Sequence, residues 1–392
     1  MNNKVGLAIV TYTINFGTYL QAFATQVAVQ KIGYETEIIN IESVIKDVSK
    51  MRRQYFLGRI FDFSELKSYL PTIELILNKK LNRKFKKYYS LRENKFKEFH
   101  DKYFKIGKKY SSWKEMSNSC LDYSSVLVGS DQLWRPANIA GNFYTLNFVP
   151  DDINKISYAT SFGLSKLRKE QKEVASKFLN RINYLSTREE SGAVIIEQCT
   201  GRKGEVVCDP TMLLDKEEWN QYISNDPLIK EKYILVYLLN DSKDQRRIIK
   251  RFAKEKSLKI VGVLHGAGYV RGDETFVDEA PGDIGPLEFL NLIKYATYIF
   301  TDSFHGSVFS TIFEKQFYVF KRFSDKNKMS TNSRVTNLLN KLGLSGRLVD
   351  NYINNVDSID YEIVNKKLIE FRMFSKDFLI TSLEAGMKND RG

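Results

Sequence analysis

The stretch that decides the fold opens the chain, where residues 5–10 read VGLAIV and residues 15–17 read NFG. The apolar run suits a buried parallel strand, and the glycine-containing segment turns the chain. Residues 19–32 then carry apolar side chains at helical spacing, and Gly33 marks the helix end. Residues 35–41 form a second strand. This strand–helix–strand opening predicts a doubly wound parallel sheet.

The same pattern continues along the chain in two groups of short apolar runs. The sequence predicts strands at 125–129, 156–160, 184–187 and 205–208, then at 233–239, 259–264, 298–301 and 317–320. The two groups are joined near residue 215. We therefore expect an α/β protein with two Rossmann-like domains facing a cleft, residues 1–214 and residues 215–392, the second ending in a C-terminal helix.

Composition narrows the class of protein. Of 392 residues, 43% are hydrophobic and 27% charged, which is a globular profile. The chain has only 3 histidines, which argues against a histidine-rich metal site, and its 3 cysteines form no CxxC pair, which suits a reducing compartment. No run has the length of a signal-peptide core or of a membrane span. We expect a cytoplasmic protein.

The net charge of +13 is concentrated in a basic helical insertion at about residues 45–116. Its aromatic residues recur at three- and four-residue steps, which is typical of amphipathic helices. The lysines are either a solvated face over the sheet or a docking surface for anionic lipid or a lipid-linked acceptor. We expect no nucleic-acid partner because no recognisable binding motif accompanies the charge. We expect the protein at the inner face of the membrane if the docking alternative holds.

His305 is the first candidate site residue, because it lies in a loop that connects a predicted strand to a predicted helix. Ligands of open parallel sheets bind at the carboxyl ends of strands, where helix N-termini offer backbone N–H groups. A histidine there can donate a hydrogen bond to an anion or transfer a proton near neutral pH. The alternative is that the residues of this loop merely cap the helix.

Two more strand ends carry candidate side chains. Arg188 can bind a carboxylate or phosphate bidentately, unless it only pairs with Glu189. Asp131 can orient or deprotonate a sugar hydroxyl, with Gln132 and Trp134 as sugar-contacting groups, unless it only closes a turn.

The remaining strand-end and histidine candidates rank lower. Asp209 ends another strand and is a weaker candidate. His265 also ends a strand, and we rank it below His305. We expect His100, in the basic helical region, to be structural.

The common nucleotide and metal signatures are missing. The sequence has no GxGxxG fingerprint, no P-loop, no GxSxG elbow, no clustered Cys/His site and no DxD pair. We therefore expect chemistry without a metal or a separate cofactor.

Five motifs in order resemble those of the polysaccharide pyruvyl transferase family. They are NFGTYLQ at 15–21, GSDQLW at 129–134, STRE at 186–189 followed by Ser191, CDPT at 208–211 and TDSFHG at 301–306. The resemblance implies a glycosyltransferase-B-like architecture and transfer of pyruvate from phosphoenolpyruvate onto a sugar diol as a ketal, in bacterial surface polysaccharide biosynthesis. The acceptor would be a saccharide or a lipid-linked oligosaccharide.

The resemblance also suggests roles for individual residues. Arg188 and His305 match the family residues that hold or activate the donor. Many members carry a basic residue two positions before the histidine, where this chain has Ser303, so a second cation must come from Lys321, Arg322 or Arg334. We expect His305 and Asp131 to be catalytic. The further substrate-binding residues we expect are Ser303, Gly306, Ser307, Asn15 and Gly17.

The alternative function is a nucleotide-sugar-dependent glycosyltransferase of the same architecture. It requires a pocket for the nucleotide base, for which the sequence shows no signature. A non-catalytic basic scaffold is a third alternative, and the polar residues at the strand ends argue against it.

Overall fold

The computed structural model describes residues 3–59, 70–266, 268–323, 332–350, 353 and 357–388. Its first sheet consists of β1 (Lys4–Ala8), β2 (Glu35–Ile38), β3 (Ser125–Val128), β4 (Asn154–Ser157), β5 (Tyr184–Thr187) and β6 (Glu205–Val206). These strands are parallel and lie in the order β2-β1-β3-β4-β5-β6. Because β1 lies between β2 and β3, a topological switch point is formed at the carboxyl ends of β1 and β3.

The second sheet is built in the same way. Its strands are β7 (Tyr233–Tyr237), β8 (Lys259–Gly262), β9 (Tyr298–Thr301), β10 (Gln316–Phe320) and β11 (Leu348–Val349). They are parallel in the order β11-β10-β9-β7-β8, so a second switch point lies at the ends of β7 and β9.

Helices cover the two sheets. In the first half of the chain they are α1 (Phe16–Lys31), α2 (Ile45–Leu57), α3 (Leu70–Leu81), α4 (Arg83–Tyr103), α5 (Trp113–Ser119), α6 (Pro136–Ala140), α7 (Lys169–Leu179) and α8 (Glu190–Thr200). In the second half they are α9 (Lys216–Asn220), α10 (Lys243–Lys256), α11 (Pro286–Tyr295), α12 (Phe304–Ile312), α13 (Asn332–Leu342) and α14 (Tyr361–Lys388).

Helix α1 lies between the two domains and is buried on every side from Phe16 to Val29. Phe16 stacks on Phe289 of α11 with ring centroids 4.7 Å apart, and Phe23 packs on Trp219 at 5.8 Å. The largest apolar cluster of the protein therefore contains residues of both domains. Burial on all sides explains why the sequence of α1 lacks a charged face.

The basic insertion contains α2 to α5, with part of it outside the described residues. Helix α4 turns Phe85, Arg92, Phe96 and Phe99 inward. The guanidinium of Arg92 donates to the carbonyl oxygens of His265 (2.9 Å) and Leu264 (2.7 Å), which fixes α4 to the second domain.

The last helix, α14, returns to the first domain. The backbone N–H of Cys208 donates to Oγ of Ser375 (2.8 Å), and Nδ2 of Asn154 donates to the carbonyl of Ser382 (2.8 Å). The boundary expected near residue 215 therefore separates the two sheets. Helix α14 follows this boundary in sequence but contacts both domains.

The predicted fold class is confirmed: the protein is α/β, with two Rossmann-like domains facing a cleft. Within the described ranges, no helix combines the length and the apolar character that a membrane span requires.

Candidate active site

The two switch points face each other across a cavity of about 180 Å³. The loops after β1 and β3 line it from one side, and the loops after β7, β9 and β10 with the start of α13 line it from the other. Its polar lining residues are Asn15, Thr18, Asp131, Gln132, Asp302, Ser303, His305, Lys321, Arg322, Asn332, Arg334 and Thr336. A cavity so placed corresponds to the usual ligand position of open α/β sheets.

Asn15 organises the entry to α1. Its side chain is the helix N-cap and accepts a hydrogen bond from the backbone N–H of Thr18 (3.1 Å). The hydroxyl of Thr18 in turn donates to Oδ2 of Asp131 (2.9 Å). The first helical turn of the chain therefore fixes the carboxylate that the β3 loop presents.

The β3 loop places Asp131 by means of an unusual backbone. Gly129 has φ +145°, and a Cβ there would overlap the carbonyl of Tyr158. Asp131 itself has φ +70°, a region that aspartate tolerates better than most residues. Burial tends to raise the pKa of Asp131, but Arg188, His305 and Arg334 outweigh it and lower that pKa. Asp131 is therefore ionised near neutral pH.

Asp209 lies at the centre of a buried polar cluster behind the cavity. Its Oδ2 accepts from Nη1 of Arg188 (2.7 Å) and from Oγ of Ser130 (3.2 Å). Its Oδ1 accepts from the backbone N–H and the hydroxyl of Thr211. Although burial raises the pKa of Asp209, His305 and Arg188 overcome this and hold it far below its usual range.

His305 connects this cluster to the cavity. It lies in the first turn of α12, whose N-cap is Ser303, and its Nε2 lies 3.5 Å from Oδ2 of Asp209. The opposite ring nitrogen is covered by Gly17, because a Cβ on that glycine would overlap Nδ1 of His305. The imidazole is therefore held between an aspartate and a glycine of the first domain.

Arg188 is fixed by its neighbours rather than directed into the cavity. Its side chain is 2% exposed, its guanidinium lies 4.4 Å from the ring centroid of Phe304, and its Nη2 is 3.9 Å from Oδ1 of Asp131. Arg188 lines a second cavity of about 290 Å³, which shares Phe304 and Arg334 with the first. Arg188 therefore pairs with Asp209 and lies 3.5 Å from Glu189, while its Nε and Nη2 have no hydrogen-bond partner among the described residues. Its expected contact with a ligand stays a prediction.

The cations that do line the first cavity are Lys321, Arg322 and Arg334. Burial, and then repulsion from Arg188, lowers the pKa of Arg334 to about 10, so it stays charged near neutral pH. With its amide oxygen turned toward Arg334, Gln132 accepts from Nη1 and Nη2, each at 2.9 Å. These three cations therefore lie opposite Asp131, where they can bind an anion.

Asp302 contributes a second carboxyl to the cavity. Its Oδ1 accepts from the backbone N–H of Leu239 (2.7 Å), and its Oδ2 is buried without a hydrogen-bond partner in the described part of the chain. Burial raises the pKa of Asp302 to about 6, against a weaker lowering by Arg322. The group is therefore close to its midpoint of titration under mildly acidic conditions.

The structure thus brings most of the predicted site residues together. Among the predicted residues, those at the first cavity are Asn15, Asp131, Gln132, Ser303, His305, Lys321, Arg322 and Arg334, and Gly17 touches His305. A Cβ on Gly306 would overlap Oγ1 of Thr301, so this glycine is needed for packing. Ser307 is buried and donates from its hydroxyl to the carbonyl of Ser303 (3.0 Å). Gly306 and Ser307 therefore do not line the first cavity.

The prediction that Trp134 contacts a sugar is wrong. It is 0% exposed, packs against Phe162 and Phe178, and donates from Nε1 to the carbonyl of Tyr144 (3.0 Å). The tryptophan belongs to the core of the first domain and cannot contact a sugar, because its ring and its N–H are both occupied.

The other two histidines lie away from the cavity. His265 is buried among Phe85, Tyr88 and Tyr269, and its Nδ1 accepts from the backbone N–H of Val270 (3.0 Å). Burial lowers the pKa of His265 to about 4, so it is neutral. Nδ1 of His100 lies 3.2 Å from Oδ1 of Asp101, on the outer part of α4.

Sequence reasoning undervalued two acidic residues. Asp209 was a weaker candidate than Asp131, and the sequence could not show that its partner His305 lies in the other domain. Asp302 was not a candidate by itself. The one available signal was its position beside Ser303 at the end of β9.

Several solved structures are similar in fold to this chain. A UDP-GlcNAc 2-epimerase from Neisseria meningitidis bound to UDP-GlcNAc is 11% identical, with 94% of this chain and 99% of that chain covered at a TM-score of 0.44. The corresponding epimerase from Methanocaldococcus jannaschii is 14% identical, with 93% and 91% covered at 0.44. The glycosyltransferase SnogD from Streptomyces nogalater is 9% identical, with 99% and 98% covered at 0.44.

No curated protein sequence matches the chain. A family model does match it: the model described as polysaccharide pyruvyl transferase covers residues 63–322, which is more than half of the 392 residues. The matched region includes Asp131, Arg188, Asp209 and His305, the residues that meet behind and beside the cavity. The chain is therefore a member of the polysaccharide pyruvyl transferase family, a family of enzymes.

Proposed function

We propose that this enzyme transfers pyruvate from phosphoenolpyruvate onto two hydroxyls of a sugar as a ketal, in the synthesis of a bacterial surface polysaccharide. The observation that carries the proposal is the cavity of about 180 Å³ that places Lys321, Arg322 and Arg334 opposite His305 and Asp131. This volume is below the range of about 300–1,000 Å³ usual for sites of larger ligands, and it suits a small donor with two anionic groups.

We propose that the donor binds to the cations that line the cavity and to the N-terminus of α12. Phosphoenolpyruvate carries a phosphate and a carboxylate, and both anions need cations or backbone N–H groups. Arg334 and Lys321 supply charge from one wall, and the N-terminus of α12, 9 residues long, supplies partial positive charge from another. Gln132 holds Arg334 in place from the first domain.

The chemistry requires one proton donor and one group that accepts a hydroxyl proton. Protonation of the methylene carbon gives an oxocarbenium-like centre at the adjacent carbon. One sugar hydroxyl attacks this centre, the bond to the phosphate oxygen breaks, and the second hydroxyl closes the ketal. Of the two hydroxyl protons, one replaces the proton given to the methylene and the other leaves with phosphate.

We assign His305 as the proton donor or phosphate ligand and Asp131 as the group that orients and deprotonates the acceptor hydroxyl. The lowered pKa of Asp131 keeps it ionised, so its carboxylate can accept a hydrogen bond from the acceptor hydroxyl. Arg188 and Asp209 act as positioning residues: Arg188 fixes Asp209 (2.7 Å), and Asp209 lies 3.5 Å from Nε2 of His305. The rigid cluster would keep the imidazole in one orientation.

We further propose a cytoplasmic setting, with a saccharide or lipid-linked oligosaccharide as acceptor and with contact to an anionic membrane. The proposal needs phosphoenolpyruvate as the donor substrate and no separate cofactor or metal. It includes no nucleic-acid partner.

Ligand-induced thermal shift tests the donor. A ligand that binds only the folded state stabilises it by mass action, by about 2.7 kcal/mol at a concentration of 100 times Kd. We expect phosphoenolpyruvate to raise the Tm of the wild type and of Arg247→Met, an exposed control on α10, and to have little effect on Arg334→Met. Stabilisation by nucleotide sugars alone would replace this proposal with a glycosyltransferase.

A further inference from the structure

The hairpin of α3 and α4 has an outer surface that is both apolar and basic. On α3 the outward residues include Ile76, Leu77, Lys80 and Leu81, and three of these four are large aliphatic side chains. Leu81 is 79% exposed, Leu77 50% and Ile76 49%. Exposed aliphatic residues that form one helix face mark an interaction site more often than scattered ones do.

Cations surround these aliphatic residues. Residues 75–91 contain six Lys or Arg and no Asp or Glu, and the exposed cations are Lys80, Arg83, Lys84, Lys86 and Lys87. Among the described residues, the neighbouring acids are Glu74, one turn before, Glu93, which pairs with Lys79 (2.7 Å), and Glu274, which accepts from Asn82 (3.3 Å). We define the α3–α4 surface as Ile76, Leu77, Lys80, Leu81, Arg83, Lys84, Lys86, Lys87 and Leu91.

The hairpin is held in this orientation by its inner contacts. The ammonium of Lys79 lies 4.3 Å from the ring centroid of Tyr89 on α4, in addition to its ion pair with Glu93. On the opposite side of α4, Phe85 and Phe96 are buried. Other side chains therefore make the contacts between α3 and α4, and the aliphatic residues of α3 stay exposed.

We infer that the α3–α4 surface docks on an anionic lipid bilayer. Exposed leucine and isoleucine side chains can enter the boundary between headgroups and acyl chains, while lysine and arginine bind the anionic headgroups around them. Each cation near an anionic surface strengthens binding roughly fivefold. A nucleic acid would satisfy the cations through its phosphates but would leave the aliphatic residues in water.

Part of the α3–α4 surface lies on α4, and the opposite side of this helix packs against the candidate active site. On its inner side α4 carries Phe96, whose ring centroid is 5.1 Å from that of Phe16, directly after Asn15 and before Gly17. Docking would thus place at the membrane a helix that also packs against the start of α1. The inference does not depend on the donor, since it would stand if the donor were a nucleotide sugar.

Vesicle co-sedimentation of the full chain tests the inference. We expect the wild type to bind vesicles of phosphatidylcholine with phosphatidylglycerol at low salt and to bind vesicles of phosphatidylcholine alone at least tenfold more weakly. The charge variant Lys80→Glu/Lys84→Glu/Lys87→Glu should lose at least tenfold in partitioning. The apolar variant Ile76→Ser/Leu77→Ser/Leu81→Ser should also lose at least tenfold, because headgroup attraction remains but insertion does not.

The matched control is Lys243→Glu/Lys250→Glu/Lys254→Glu, which changes three exposed lysines on one face of α10 and alters the net charge equally. It should bind like the wild type, and the Tm of every variant should stay near that of the wild type, since all six lysines and all three aliphatic residues are exposed. Failure of the wild type to bind the anionic vesicles would overturn the inference. So would unchanged binding by the apolar variant, or tighter binding of the wild type to an oligonucleotide than to these vesicles.

Discussion

Gly17 and His305 are in direct contact across the domain boundary: a Cβ on Gly17 would overlap Nδ1 of His305. Gly17 lies in the first turn of α1 and His305 in the first turn of α12, so the N-termini of two helices from different domains meet at one imidazole. The position of His305 therefore depends on the absence of a side chain in the other domain.

Gly17→Ala should reduce activity strongly. Alanine normally favours a helix over glycine by about 1 kcal/mol, but here the added methyl must displace the imidazole. Displacement of a catalytic group by about 1 Å can cost roughly a hundredfold in rate. We expect kcat/KM to fall by about that factor, measured with the donor and an acceptor saccharide.

The control for this change is Gly346→Ala, because a Cβ on Gly346 would meet open space. It should leave both kcat/KM and Tm near their wild-type values. An active Gly17→Ala enzyme would show that His305 does not need its present position.

Asp209→Asn should destabilise the protein. The substitution leaves Arg188 buried without its carboxylate partner at 2.7 Å, and breaking a buried ion pair in this way typically costs about 3–5 kcal/mol. The free energy of unfolding from urea titration measures the loss. A change below about 1 kcal/mol would contradict the central position of Asp209 in the cluster.

The pH dependence gives Asp209 a second signature. Its pKa is lower in the folded than in the unfolded protein, so its contribution is present above about pH 4 and is lost as the pH falls. Acidification below about pH 4 should therefore reduce the stability of the wild type more than that of Asp209→Asn. Parallel curves for the two proteins would contradict the lowered pKa.

The titration of Asp302 should change the stability of the wild type in the opposite direction, and Asp302→Asn should remove this effect. The pKa of Asp302 is raised from 3.8 to about 6, so the folded state binds the proton more tightly and loses stability as the pH rises from about 4 to about 6. The difference amounts to about 3 kcal/mol over this window. Unfolding curves at several pH values should show the wild type losing stability relative to Asp302→Asn as the pH rises.

Trp134→Phe should affect stability and not substrate binding. The change removes the hydrogen bond from Nε1 to the carbonyl of Tyr144 (3.0 Å) and leaves a small gap beside Phe162 and Phe178. We expect a loss of about 1–3 kcal/mol. A rise in the KM for the acceptor without a change in Tm would restore the tryptophan to the site.

Most strands of the two sheets could be predicted from the sequence, because they are short apolar runs that end in polar loops. The predicted strands 184–187 and 298–301 coincide with β5 and β9. Other predictions ran too long: residues 5–10 continue as an apolar run, yet β1 ends at Ala8 because the chain there turns into the cleft loop. The 2-residue strand β11, which pairs with β10 at the edge of the second sheet, gave no signal.

The site could be predicted in part, for a physical reason. Strand-end positions such as Asp131 and His305 follow from topology, since the carboxyl ends of parallel strands share one edge. The direction of a side chain does not follow from topology. Trp134 turns to Phe178, and Arg188 turns to Asp209, because partners distant in sequence bury them.

Calorimetric titration with phosphoenolpyruvate tests the central claim most directly, with the wild type, Arg334→Met and the surface control Arg247→Met compared in the same buffer. We predict that the wild type and the control bind one phosphoenolpyruvate per chain and that Arg334→Met binds at least tenfold more weakly, because the cavity loses one of the cations that line it. Equal affinity in all three proteins, or no binding by a folded wild type, would contradict the claim that this cavity holds the donor.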